Sequence, residues 1–428
     1  MNNSTLKIGF IHNVFPVLSQ TFISKEMLGL QQLGLQLKIY SLFGPAKGQN
    51  DTVFPQADRV HYIIPTLRPF RLIAAHFYFL MTAPLRYWTT LLFAAKHRDS
   101  ARLGKTLVAL ITKGKVSREQ RQDVLLHFIL ALPLAKKLKK DGITFVNSHF
   151  ADAAASFALL CAKILNLQYG VTTHAYDIFA PQYNQREKLL RARFILTCTN
   201  YNKTALLERF PELAMNAVHV FYHGIETSTF LRTDQSANQH IEILSVGRLV
   251  PKKGFDVLLD VCFLLKKRGQ TFKCRIVGDG PLLQHLSQHI EEKGLQNMVE
   301  LVGAVPANAT KAYYQRADLF VLPCVVEPDG NRDGIPNVIA EAMAMQLPVV
   351  SSAISGIPEL VVNGETGFLH AQRDVQRLAD SIEILMQDKN LRHQMGRAGR
   401  QRVLAMFDSK VCLQNLYDFY IKELSNCG

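Results

Sequence analysis

The chain has 428 residues, 48% of them hydrophobic, and a formal net charge of +14. Its length exceeds one ordinary core and predicts two domains of about 200 residues each, and its composition excludes a disordered or fibrous chain. The charge surplus lies in residues 1–200, with 25 Lys+Arg against 10 Asp+Glu, while 201–428 carry 24 against 25. An acidic partner of the first half is therefore expected: anionic lipid, a phosphorylated substrate or nucleic acid. Seven cysteines without a CxxC pair argue for a reducing cytoplasm, against a disulfide framework and against a zinc site. The opening MNNSTLKIGFIHNVFP lacks the features of a signal peptide.

The first predicted strands are KIGFIH (7–12) and LKIYSLF (37–43). His12 ends the first, close to Ser19, Gln20 and Thr21, a run suited to an acceptor or a phosphate. RPFRLIAAHFYFLMTAPLRYWTTLLFAAKHR (68–98) is apolar and aromatic, with basic residues at its ends and middle. Pro84 and Arg86 interrupt it, short of the roughly 20 apolar residues that a membrane span needs. It predicts one or two helices that either lie on a membrane surface or under a lid, or are buried in an enlarged domain. Lys136, Lys137, Lys139 and Lys140 read as an exposed helix end. ITFVNSH (143–149), YGVTTH (169–174), FILTCT (194–199) and VHVFYH (218–223) complete a first strand series. His149 and His174 each end a strand, where ligands bind in open α/β sheets. Asp177 would orient His174 or cap a helix.

The polar run LRTDQSANQH (231–240) reads as a linker. A second series follows: IEILSVG (241–247), FKCRIVG (272–278), VELVG (299–303), LFVLP (319–323), PVVSS (348–352) and GFLH (367–370). Near-continuous apolar strands alternating with helical patterns imply parallel sheets covered on both faces. The fold class expected is α/β: two Rossmann-like domains facing each other across a cleft. They span 1–230, with a basic apolar insertion at about 66–125, and 241–410. Residues 411–428 contain a helix that would return to the first domain.

Three stretches of the second half bear chemistry. In SVGRLVPKKGFDVLLD (245–260), Gly247 ends a strand, Arg248, Lys252 and Lys253 crowd the loop, and Gly254 precedes a helix; such a loop would grip a diphosphate. IVGDGPLL (276–283) resembles a dinucleotide turn, but Leu283 stands where the third glycine belongs. Gly278 and Gly280 instead suit the close approach of a base or ribose. In DGIPNVIAEAMAMQLPVV (333–350), Pro336 opens a predicted helix Asn337–Met345 and Asp333 precedes it. Glu341 sits one turn in, and as a buried carboxylate it needs a polar partner, such as two ribose hydroxyls. The alternative for both acids is an ion pair within the fold.

GRLVPKKG, IVGDGP, DGIPNVIAEAMAMQLPVV, SGIPELV and NGETGFLH, in this order, resemble the donor half of the retaining glycosyltransferases of family 4, with the GT-B fold. NVFPVLSQTFISKEMLGLQQLG, NSHFADAAA and TTHAYDIF resemble the colanic-acid and exopolysaccharide branch. The resemblance implies that Arg248 and Lys253 hold the donor diphosphate, that Asp333 and Glu341 are the two acids of an E-x7-E motif, and that His174 faces the transferred sugar. Gly247, Gly278, Gly280, Gly334, Ile335, Pro336 and Asn337 would line the donor pocket. His12, Ser19, His149 and Asp177 fall on the acceptor or sugar side. Two departures stand out: the first acid is Asp333 rather than Glu, and Gln346 replaces a usual Gly.

The expected function is transfer from a nucleotide diphosphate sugar to an acceptor hydroxyl with retention, without metal or other cofactor, since the cations would fill a metal's role. The expected acceptor is a lipid-linked or other glycan in exopolysaccharide or cell-surface polysaccharide synthesis. The protein would be cytoplasmic, peripheral on the inner membrane face through its basic half, with no nucleic acid. A nucleotide-sugar epimerase or dehydrogenase would need the third glycine and a Tyr-x-x-x-Lys pair. A nucleic-acid-binding module would need aromatics on an exposed basic sheet.

Overall fold

A computed structural model describes residues 6–17, 20–45, 54, 59–97, 123–179, 183–232 and 240–425. The chain forms two compact units. The first comprises Met1–Thr197, Lys203–Phe221 and Leu413–Gly428; the second comprises Cys198–Asn202 and Tyr222–Cys412. Of the linker expected at 231–240, residues 233–239 lie outside the described residues, as does Ser19.

The first unit is built on a seven-stranded sheet of order β3-β2-β1-β4-β5-β6-β7. Its strands are β1 (Lys7–Val14), β2 (Gln36–Phe43), β3 (Val60–Tyr62), β4 (Phe145–His149), β5 (Gln168–Thr173), β6 (Ile195–Thr197) and β7 (Val218–Val220). Every pairing is parallel. The helices are α1 (Thr21–Gln32), α2 (Pro69–Thr82), α3 (Pro84–Lys96), α4 (Val124–Lys140), α5 (Ala153–Leu165), α6 (Ala175–Phe179), α7 (Gln185–Leu190) and α8 (Asn200–Arg209). Two separate cores cover the sheet, one around α4 and α5, the other around Phe10, Met27 and Phe194. Leu416, Tyr420 and Leu424 of the C-terminal helix complete the latter.

The second unit carries a six-stranded sheet of order β10-β9-β8-β11-β12-β13. Its strands are β8 (Ile241–Val246), β9 (Phe272–Val277), β10 (Val299–Gly303), β11 (Leu319–Leu322), β12 (Val349–Ser352) and β13 (Gly367–His370), again all parallel. Between and after them run α9 (Phe255–Lys267), α10 (Leu283–Glu292), α11 (Ala307–Arg316), α12 (Asn337–Ala344), α13 (Ile357–Leu360), α14 (Val375–Gln387) and α15 (Lys389–Met406); the C-terminal helix α16 (Ser409–Ser425) belongs to the first unit from Leu413 on. The inner strands β11 and β12 are buried along their whole length, as unbroken runs in such sheets are, whereas β10 and β13 at the edges are only partly buried. β8 and β11 are adjacent though β9 and β10 intervene in the chain. The order therefore reverses between them, and the crevice beyond their carboxyl ends is where such sheets take ligands.

Candidate functional site

Three turns of the second unit meet beyond the ends of β8, β9 and β11. The turn after β8 closes with a single 3-10 turn, Pro251–Lys253, and then Gly254 at φ +68°. A Cβ at Gly254 would sit 1.9 Å from the Pro323 carbonyl oxygen, so only glycine lets this turn reach the end of β11. The turn after β9 packs as closely: a Cβ at Gly278 would lie 2.0 Å from the Gly247 carbonyl oxygen, and one at Gly280 2.5 Å from that of Leu249. The Val325 N–H donates to the Lys252 carbonyl at 3.0 Å, joining the loop before α12 to the same turn.

Two lysines enclose one carboxylate there. Lys252 Nζ lies 3.0 Å from Asp333 Oδ1, and Lys253 Nζ lies 2.7 Å from Oδ2, an ion pair without hydrogen-bond geometry at that oxygen. The Lys253 and Asp333 side chains are 13% and 17% exposed. Burial works against both charges. The lysines outweigh it for Asp333 and hold its carboxyl below the usual range. Asp333, then Cys324 and Glu341, outweigh it for Lys253 and raise its ammonium above the usual range. Arg248 is exposed at the rim and forms no ion pair among the described residues.

Asn337 to Ala344 form α12, one residue shorter than expected, with Pro336 capping the first turn and Met345 at the other end. Glu341 receives a hydrogen bond from Tyr314 Oη at 3.0 Å, and the same hydroxyl lies 3.3 Å from the Val338 carbonyl. The chain before α12 is steadied by a Gly356 N–H to Gly334 carbonyl bond of 3.2 Å, while Ile335 packs against Gly356. Gln346, just past the helix, adopts φ +58°. That left-handed conformation favours glycine.

In the first unit, the ends of β1, β4 and β5 align three imidazoles. The rings of His12 and His149 stack at 5.1 Å and those of His149 and His174 at 5.7 Å. His149 Nδ1 lies 3.4 Å from His174 Nε2, and its Nε2 lies 3.3 Å from Glu26 Oε1 of α1. Burial, then the neighbouring His149, holds His12 well below its usual pKa. Asp177 accepts the N–H groups of Ala151 and His174, both at 2.6 Å, so it fixes His174 through the backbone. Burial pushes Asp177 up to about 7 and Asp152 up to about 6, and brings the buried Lys188 down to about 8. Lys188 Nζ donates to the carbonyls of Ala151 and Asp152 at 2.8 and 3.0 Å.

The structure thus brings Gly247, Lys253, Gly278, Gly280, Asp333 and Glu341 to one end of the second sheet. It brings His12, His149, His174 and Asp177 together in the first unit. Tyr314, Glu26 and Lys188 were not singled out from the sequence. A lysine pair was visible at 252–253, but nothing local marked Tyr314, 27 residues from its partner.

Residues 229–402 match the family described as Glycosyl transferases group 1. The amylovoran biosynthesis glycosyltransferase AmsK of Erwinia amylovora is 28% identical over 96% of this chain and 98% of its own length. The putative colanic acid biosynthesis glycosyltransferase WcaL of Escherichia coli K12 is 28% identical over 89% of this chain and 91% of its own. A glycosyltransferase from Rickettsia africae superposes with a TM-score of 0.69 at 18% identity, covering 98% of this chain and 99% of its own. Anabaena Alr3699/HepE, solved in complex with UDP, gives 0.68 at 16% identity over 97% and 100%. Five donor-side motifs in order, a pair of parallel α/β sheets and full-length similarity agree: the chain is a glycosyltransferase whose residues 229–402 match the glycosyl transferases of group 1.

Proposed function

We propose that the chain transfers a sugar from a nucleotide diphosphate sugar to a hydroxyl of a lipid-linked glycan acceptor, with retention at the anomeric carbon, in exopolysaccharide or cell-surface polysaccharide synthesis. The observation that carries this reading is the convergence of Lys253, Asp333 and Glu341, on three separate elements, into one electrostatically coupled cluster. The diphosphate gathers negative charge as the glycosidic bond breaks. Lys253, Lys252 and Arg248 meet that charge in the transition state more than in the ground state. The N-terminus of α12 adds a partial positive charge. With these cations in place no metal is assigned. Glu341 is assigned the ribose, Asp333 sugar hydroxyls, and Gly278 and Gly280 the close approach of the nucleoside. Binding of the diphosphate competes with Asp333 for the two lysines, which frees the carboxylate for the sugar. The departing phosphate accepts the acceptor's proton, so no side-chain base is needed.

Support for the acceptor class is the pair of exopolysaccharide glycosyltransferases at full-length similarity. The protein is placed by this reading in the cytoplasm, on the inner face of the membrane. Turnover of a panel of UDP-, GDP- and ADP-sugars, with chelator present, tests the donor. One nucleotide sugar consumed and passed to a lipid-diphosphate-linked oligosaccharide is the expected result. No turnover of any member, or turnover only with added divalent metal, defeats the proposal.

A further inference from the structure

Far in sequence from the donor cluster, two consecutive helices of the first unit present large apolar side chains to solvent. On α2 these are Phe70, Ile73, Phe77 and Met81; on α3 they are Leu85, Trp88 and Leu92, all between 53% and 82% exposed. At about 100° per residue each set falls within an arc of roughly 80°, so each helix carries one continuous outward stripe. Single exposed leucines are common; aligned stripes on neighbouring helices are not. The opposite faces are already occupied. Ala75 and Phe79 of α2 and Ala94 of α3 are buried in the core formed with α4. His76 locks the pair, with Nδ1 3.0 Å from Tyr87 Oη and Nε2 3.0 Å from the Ile129 carbonyl of α4. A groove of about 310 Å³, lined by Leu72, Ile73, Phe77, Leu80 and Tyr87 among others, opens between the helices.

The polar rim has one sign. Arg68, Arg71, Arg86 and Lys96 are exposed, and residues 68–97 contain no Asp or Glu. Lys136 and Lys139 of α4 lie 4.9 and 5.4 Å from the centre of the Tyr78 ring. Apolar stripes edged by cations and aromatic rings match the boundary of an anionic bilayer. Neither helix spans one: 14 and 13 residues at about 1.5 Å each reach only about 21 and 20 Å, against a hydrocarbon core of about 30 Å.

We propose that the α2–α3 hairpin is a membrane-docking element that lays its apolar stripes into the interfacial layer of an anionic bilayer, with its arginines at the lipid phosphates and the groove filled by lipid acyl chain. This deepens the membrane-side part of the function above and rests on it. It joins catalysis to the surface on which a lipid-linked acceptor resides.

Trp88 is the sole tryptophan of the chain and stands in the stripe, so the unmodified protein reports on its own docking. Its emission is followed as the full chain is titrated with phosphatidylcholine vesicles, with and without phosphatidylglycerol. A blue shift, quenching by acyl-brominated lipid and about tenfold or more tighter binding with phosphatidylglycerol at low salt are expected. The double variant Phe77→Ser/Leu85→Ser, both sites exposed, should bind about tenfold more weakly and keep its turnover on a soluble acceptor. No spectral change at any lipid concentration overturns the proposal. So does a Trp88 already shielded from acrylamide without lipid, which would mean that residues 98–122 or a second copy cover the face. Vesicle binding without any glycosyl transfer would instead defeat the functional reading and leave the docking intact.

Discussion

Lys253→Ala removes the ammonium 2.7 Å from Asp333 Oδ2 while leaving Lys252 3.0 Å from Oδ1. Deleting one partner of a fully buried pair costs about 3–5 kcal/mol, and an exposed pair is worth about 0–1. With side chains 13% and 17% exposed and a second lysine in place, the expected loss is about 1–2 kcal/mol in urea unfolding. The catalytic loss should be larger. If Lys253 meets charge that develops on the leaving diphosphate, kcat should fall about 10²–10³-fold, with little change in KM. The stability difference has a defined pH window. Asp333 is depressed in the folded state, so its contribution is complete above the ordinary carboxylate value of about 4 and fades as pH falls below it. Lys253 is raised, so its contribution is complete below about 10.5 and fades as pH rises through the folded value. The wild-type-minus-variant difference should therefore be flat between roughly pH 5 and 10. A variant with wild-type kcat, or one whose loss appears only in KM, would refute the assignment of this lysine to the leaving group.

Tyr314→Phe deprives Glu341 Oε2 of its 3.0 Å donor; it should cost about 1–2 kcal/mol in stability and raise the donor KM, read by unfolding and initial rates. Gln346→Gly relieves a left-handed residue at φ +58° and should stabilise the chain by up to about 1 kcal/mol, measured as a higher urea midpoint at constant slope. Lys188→Met leaves the carbonyls of Ala151 and Asp152 without their buried donor and should destabilise by about 3 kcal/mol, read by urea unfolding at neutral pH.

In the second sheet the inner strands were legible because burial on both faces gives apolar runs such as LFVL of β11, and the partly buried edge strands VELVG and GFLH still match β10 and β13 residue for residue. In the first sheet β3, three residues long with only Val60 buried, left no such run, and FILTCT and VHVFYH pair over only three residues each. The 68–98 stretch left surface-lying and buried helices both open, and the structure divides it: one face is core, the other exposed. Sequence signalled that Glu341 needed a partner, but Tyr314 comes from α11, which precedes β11 in the chain, and only tertiary packing joins them. Asp333 shows both readings of its charge at once, ion-paired within the fold yet placed at the cationic turn. The histidine column was hidden for a topological reason. Each imidazole could be placed at a strand end, but β1 and β4 become neighbours only through a crossover of about 130 residues, 15 to 144.

Calorimetric titration of the nucleoside diphosphate whose sugar the wild type consumes, into wild type, Glu341→Ala and Arg248→Ala, reaches the central claim most directly. A single site in the wild type, weakened about tenfold or more in each variant at unchanged fold, is the expected outcome. Equal affinity in all three proteins would mean that the cationic turn and the α12 carboxylate do not hold one ligand, and the donor site would have to be sought elsewhere.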